Sequence, residues 1–301
     1  MENNSWKVDV LETGTSLIND NTSIYSGEIN VTMALQFHEK MPRGAALREL
    51  TKKHLHLLYW ETPYFIEAVE RYLKGVDTNN AIVADVGCGD GRFTELLISL
   101  GFKKIIATDI DIRPLQSLEK YLIETGNQDK VLLINTGVEN IPVKKEICDV
   151  VLAIDVLYYL NSEYTKGLNE LRRILKKGAK LINSEPDLEG AIYKSIFFET
   201  IEDVFQNYFE RLFKEEKGDT PFKFRLFTEE EMISILDDNG FIVKDKFGLS
   251  LFPSIVRIMM VRGQIKQKDL ANNEEKVKEV MNYLNDNGKL HKHIIWHSKK
   301  K

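Results

Sequence analysis

From residue 82 onward, short runs of aliphatic and β-branched residues alternate with stretches whose apolar positions recur every three or four residues. That alternation predicts strand–helix–strand units around a parallel sheet. Residues 82–86, 104–109, 131–135, 149–154 and 179–183 read as successive strands, and their near-continuous apolar character suits strands covered on both faces. Residues 92–100 supply a helix between the first two, and Leu168, Leu171, Ile174 and Leu175 mark another before the fifth. Beyond Pro186 the pattern turns helical and aromatic, through Ile196, Ile201, Phe205, Tyr208 and Phe209, until the break at Lys217-Gly218-Asp219. This predicts an inserted helical segment. A helix over 229–239 precedes two further apolar runs, 241–244 and 254–260, which read as a strand pair closing the sheet. Upstream, Leu47, Leu50, His54, Leu57 and Leu58 share one helical stripe.

The resulting organisation is a helical cap over 1–75, a core over 76–190, a helical lid insertion over 191–225, closing strands over 226–265, and a C-terminal helix and tail over 266–301. The last stretch is polar and ends rich in lysine and histidine, so a solvated tail is expected. Hydrophobic residues make up 43% and charged residues 29%, a globular balance. The net charge of −5 provides no general basic field for a nucleic-acid backbone, so a nucleic-acid partner is not expected. No apolar run reaches the roughly 18 residues of a membrane span, and a cytoplasmic protein without a membrane partner is expected. Cys88 and Cys148 lie in no CxxC pair, which points away from a disulfide framework or a zinc site. Oligomeric state leaves no mark in the pattern.

The candidate chemistry begins where the first predicted strand meets its helix, in Asp85-Val86-Gly87-Cys88-Gly89-Asp90-Gly91. Alternate glycines let the backbone turn sharply and approach a ligand closely, and a helix N-terminus presents unpaired amides and partial positive charge. Asp109 ends the second strand about 20 residues on, the separation at which a carboxylate meets ribose hydroxyls in such folds. A dinucleotide fingerprint would need glycine at position 92, where this chain has Arg92, and that counts against a nicotinamide-dependent oxidoreductase.

Val83-Ala84-Asp85-Val86-Gly87-Cys88-Gly89-Asp90-Gly91 closely resembles the first motif of the class I S-adenosylmethionine-dependent methyltransferases, and Ala107-Thr108-Asp109-Ile110-Asp111 resembles the second. Val138-Glu139-Asn140-Ile141-Pro142 is similar to the third, and Asp149-Val150-Val151 with Asp155-Val156-Leu157-Tyr158-Tyr159-Leu160 to the fourth-strand segment. The likeness is close over 81–187 and looser over 225–261. It implies an α/β fold with a Rossmann-like seven-stranded methyltransferase sheet, an N-terminal helical cap and a helical insertion. It also implies S-adenosyl-L-methionine as cofactor, contacted from Asp85, Gly87, Cys88, Gly89, Asp109, Ile110, Val138, Glu139 and Asp155. The acid that often precedes the small residue of the third motif is Gly137 here, so adenine would be held by the Val138 backbone, by Glu139 or by water.

Methyl transfer asks mainly for alignment of a nucleophile with an activated donor. A small-molecule acceptor, with transfer to oxygen, nitrogen or carbon, is the expectation. Tyr158, Asp155 and Glu185 follow the fourth and fifth strands at the crevice where open α/β sheets bind ligands. Tyr158, Glu185 and His56 are the candidate catalytic groups, and no metal site is expected because Asp155 and Glu185 lack a third ligand. A non-catalytic S-adenosylmethionine-binding protein would keep the same loop and the same Asp109.

Overall fold

The computed structural model describes residues 5–29, 57–198, 200–215 and 222–301. Its strands are β1 (Ile24–Ser26), β2 (Ile82–Val86), β3 (Lys104–Asp109), β4 (Val131–Asn135), β5 (Cys148–Ala153), β6 (Leu175–Pro186), β7 (Leu212–Glu215), β8 (Phe222–Arg225), β9 (Phe241–Ser250) and β10 (His291–Lys300). All but β7 and β8 join one eight-stranded sheet in the order β1-β4-β3-β2-β5-β6-β10-β9. Only β10 runs antiparallel to its neighbours β6 and β9. The seven strands from β4 to β9 form the expected Rossmann-like sheet, and β1 adds an eighth, parallel to the β4 edge.

Both sheet faces are buried, which is why the parallel strands read as continuous apolar runs. On one face Val83, Ile105, Leu133 and Leu152 pack under α1 (Leu57–Leu73), α2 (Arg92–Ser99) and α3 (Ile112–Glu124), through side chains such as Phe65, Leu97 and Leu118. On the other, Ala84, Ile106, Leu132 and Val151 pack under α4 (Tyr164–Ile174) and α7 (Glu229–Asp238), through Leu168, Leu171 and Met232. The insertion forms α5 (Leu188–Phe198), α6 (Ile201–Glu210) and the hairpin of β7 and β8, so it is not wholly helical.

Three expectations about the ends of the chain are corrected. Residues 254–260 lie in a helix, α8 (Phe252–Val261), because Pro253 suits a first helical turn and periodicity cannot tell a short buried helix from a strand. The strand that closes the sheet is β10, drawn from the expected solvated tail. It follows α9 (Glu274–Asn287), and Trp296 at its centre is 1% exposed. Its signal is weak because three apolar residues, Ile294-Ile295-Trp296, sit between charged flanks. In the N-terminal part, residues 5–29 contain a short helix (Ser5–Val10) and β1 instead of a purely helical cap. Leu47, Leu50, His54 and His56 lie outside the described residues. No helix among the described residues is long and apolar enough to cross a membrane.

Candidate functional site

Past Val86 the chain turns through Gly87, Gly89 and Gly91, all at positive φ (68°, 52° and 88°), into the N-terminus of α2. A Cβ at Gly87 would collide with the Val156 side chain, and one at Gly91 would stand 2.5 Å from Leu118 Cδ1. Packing therefore demands glycine at both. At Gly89 an added Cβ would meet nothing within 4 Å, so this part of the loop faces open space beside the helix N-terminus. The Gly89 N–H donates to Asp109 Oδ2 at 2.9 Å, and the Asp111 N–H donates to Asp109 Oδ1 at 2.8 Å. Asn135 Nδ2 donates to the carbonyls of Asp109 and Ile110 at 2.9 and 3.0 Å. The loop and the end of β3 thus form one hydrogen-bonded cradle, with the partly exposed Asp109 carboxylate oriented toward the glycine turn.

Asp85 plays a different part. It is 2% exposed and accepts from Thr94 Oγ1 at 2.6 Å, tying β2 to α2 beneath the loop. Burial pushes its carboxyl up to about 6. Cys88 donates its N–H to the Thr108 carbonyl, and burial holds its thiol well above the ordinary range, so it offers no thiolate. Where the sequence leaves Gly137, a Cβ would stand 2.5 Å from Glu139 Oε2. The missing side chain makes room for the Glu139 carboxylate beside the buried Val138. The Gly137 N–H donates to the Glu28 carbonyl at 3.1 Å, and Glu28 also holds Asn140 through its carboxylate, so the N-terminal segment borders this corner.

At the ends of β5 and β6 the chain gathers the remaining candidates. Asp155 adopts φ 61°, and its N–H donates to Ser184 Oγ at 2.8 Å while Ser184 Oγ lies 2.9 Å from Asp155 Oδ1. Tyr158 is buried, with its ring 4.4 Å from that of Tyr159, 5.2 Å from Phe224 and 5.8 Å from His293. Burial holds its phenol well above the usual range, so it stays protonated and can orient a ligand but not act as a phenolate. Glu185 is 1% exposed, and its Oε1 accepts from Tyr164 Oη at 2.8 Å and from Asn183 Nδ2 at 2.9 Å. Its Oε2 is buried without a hydrogen-bond partner, and burial raises the carboxyl to about 8. At neutral pH this group is mostly the neutral acid, able to donate from Oε2. Arg225 lies over the rings of Tyr164 and Phe227, at 5.9 and 4.9 Å from their centres.

The raised value has a stability consequence. Between the ordinary carboxylate range and about 8, the folded state binds a proton that the unfolded chain has lost, so stability falls as pH rises through that window. Glu185→Gln, which cannot ionise, is expected to flatten this slope and to gain stability over wild type near pH 8. Thermal melts of both proteins from pH 5 to about 9 check it: parallel profiles would show that Glu185 ionises normally.

Two groups at this crevice escape sequence reasoning. Arg92, which broke the glycine fingerprint, stacks over Phe65 and Phe93 and brings Nη2 within 3.8 Å of Asp155 Oδ2. His293 comes from β10 and is 8% exposed, with Nδ1 3.3 Å from Asp155 Oδ1. Beside them, Glu61 of α1 is buried and held by Lys292 at 2.9 and 3.0 Å. Arg92 alone left a trace, as an arginine where a glycine was due; nothing local marks His293. His297, which the solvated-tail reading also exposed, stacks on Tyr72 at 5.0 Å. Among the described residues no cluster of histidine, cysteine, aspartate and glutamate could hold a metal.

A family model described as a methyltransferase domain matches residues 84–183. A tRNA U34 carboxymethyltransferase of Campylobacter hominis is 30% identical over 115 residues, covering 38% of this chain and 39% of that protein. One of a Shewanella species, with the same name, is 27% identical over 141 residues, covering 46% and 41%. The chain thus spans about two fifths of the length of these relatives. Among solved structures, an S-adenosylmethionine-dependent methyltransferase from Listeria monocytogenes, described as putative, aligns at TM-score 0.56 and 18% identity, over 78% of this chain and 96% of that one. The relatives named for tRNA overturn the expectation that a nucleic-acid partner is excluded. The expectation failed because net charge sums the whole surface, whereas phosphate contacts are local.

Proposed function

We propose that this chain, whose residues 84–183 are a class I S-adenosyl-L-methionine-dependent methyltransferase domain, modifies a nucleic-acid base, with tRNA as the first substrate to test. The observation that carries the cofactor part is the cradle in which the Gly89 N–H and the Asp109 carboxylate are joined at 2.9 Å beside open space. The bound cofactor supplies an activated methyl group. Asp109 accepts from the ribose hydroxyls, Gly87, Cys88 and Gly89 offer backbone to the amino-acid end, and Ile110 and Val138 enclose the adenine. Glu139 takes the adenine amino hydrogens in place of the acid absent at 137. Tyr158 orients the acceptor, and Glu185, largely protonated, donates a hydrogen bond to it. A cytoplasmic setting fits these roles.

The relatives' names carry the acceptor part, and one surface feature supports it. Phe205, Tyr208 and Phe209 of α6 are exposed, 76% in the case of Phe209, and Arg211 lies 5.3 Å over the Tyr208 ring. Exposed aromatics beside a guanidinium suit stacking on unpaired bases. Incubation of the full chain with methyl-labelled cofactor and bulk tRNA is expected to label the RNA, and mass spectrometry of digested nucleosides separates methyl from carboxymethyl products. Label confined to low-molecular-weight material would overturn the acceptor class. Cofactor binding without label in any fraction would favour a non-catalytic binding protein.

A further inference from the structure

We propose that His293, backed by Asp155, is the proton acceptor for the group being modified, an inference that rests on the transferase reading above. Both residues stand at the crevice, yet they are remote in sequence: Asp155 follows β5, and His293 lies on the antiparallel β10, with β6 between the two strands. Register sets the meeting, since His293 pairs with Pro186 at the end of β6, beside the Ser184 whose hydroxyl holds Asp155.

The Asp155 carboxylate is a built element. Its backbone sits at φ 61°, in the left-handed region that non-glycine residues avoid unless surrounding contacts impose it. Ser184 bonds both its N–H and its Oδ1, and Arg92 stands 3.8 Å from Oδ2. The same Oδ1 that accepts from Ser184 also faces His293 Nδ1 at 3.3 Å, close but not yet aligned as a hydrogen bond. Such bonds are often long in a ligand-free site and tighten with substrate. A carboxylate at Nδ1 selects the tautomer with its hydrogen there, which makes Nε2 the basic atom. The His293 ring packs against Tyr158 at 5.8 Å and Phe65 at 6.4 Å, so an acceptor oriented by Tyr158 lies within reach of the same imidazole.

The step balances simply. The acceptor's oxygen or nitrogen forms a bond to the transferred carbon, and the donor's carbon–sulfur bond breaks with its electron pair staying on sulfur. The acceptor's proton passes to Nε2. The resulting imidazolium is paired with Asp155 and later releases the proton to water. The charged and titratable groups around the ring are Asp155, which favours the imidazolium, and Lys292, Arg92 and Lys194, which oppose it. Tyr158 adds a protonated phenol, and Glu61 is already engaged by Lys292. Burial, the largest influence, pushes the imidazole down to about 4 in the free protein, so it is in its accepting form across the physiological range. The contact of Nδ1 with Asp155 Oδ1, 3.3 Å in the free protein, tightens as substrate binds and raises the imidazole's proton affinity as the proton arrives.

The full chain carrying His293→Asn, with His293→Gln as a second variant should the first fold poorly, is assayed with labelled cofactor and tRNA. Turnover is expected to fall ~100-fold or more, with S-adenosylhomocysteine affinity within about twofold of wild type and activity partly restored by added imidazole. Unchanged turnover, or a loss that follows cofactor affinity and is not rescued by imidazole, would overturn the role. A separate readout needs no acceptor: in NMR titrations of the S-adenosylhomocysteine complex, Asp155→Asn is expected to shift the His293 midpoint downward. An unmoved midpoint would overturn the dyad. If wild type modifies no nucleic acid, the acceptor reading fails while this titration still decides whether Asp155 and His293 act as a pair.

Discussion

Replacing Asp109 with alanine is expected to weaken S-adenosylhomocysteine binding by ~100-fold or more. The variant loses charge-assisted hydrogen bonds to two ribose hydroxyls, each worth about 1.5–3 kcal/mol when the acceptor is ionised. It also leaves the N–H groups of Gly89 and Asp111 without the carboxylate that draws the glycine turn to β3. Asp109→Asn keeps one accepting oxygen, so its loss should be smaller. Titration calorimetry on all three proteins ranks them. Equal affinity across the series would remove Asp109 from the cofactor site and place the ligand elsewhere along the crevice. Because those two N–H groups lose their acceptor, the alanine variant should also melt somewhat below wild type, and binding is compared at a temperature where all three proteins are folded.

Trp296→Ala is expected to cost about 3–5 kcal/mol of folding stability, the range for emptying a buried tryptophan site. The indole is 1% exposed in the same core cluster as Leu171, Leu181 and Phe241, on the strand that joins β6 to β9. A residue on a solvated tail would change stability by less than about 0.5 kcal/mol. Denaturant unfolding separates these outcomes by a wide margin. A near-zero effect would detach β10 from the sheet and, with it, His293 from the crevice.

The two predictions mark where local information ends. The central strands were legible because each is buried on both faces, which forces a dense apolar run that no neighbour in sequence disguises. The glycine turn was legible for the same kind of reason: positive φ at 87, 89 and 91, and the Val156 and Leu118 side chains pressed against two of these positions, exclude almost every other residue. Asp109 followed from its place at the end of β3. Local pattern failed where one signal serves two structures. The run in α8 is as apolar as a strand, and Pro253 in its first turn together with its packing beside α1 and α9 decided for a helix. Polar β10 became an interior strand, next to the edge strand β9, because β6 and β9 each presented an edge for it to bridge, a fact about distant segments. His293 gained its meaning from that pairing alone, since a histidine between lysine and isoleucine acquires a carboxylate partner only when antiparallel register carries it to Asp155. Arg92 likewise became a neighbour of Asp155 only once β2 and β5 lay side by side. Backbone conformation and burial leave marks on the residues that bear them, whereas partnership between remote side chains is written only in the folded chain.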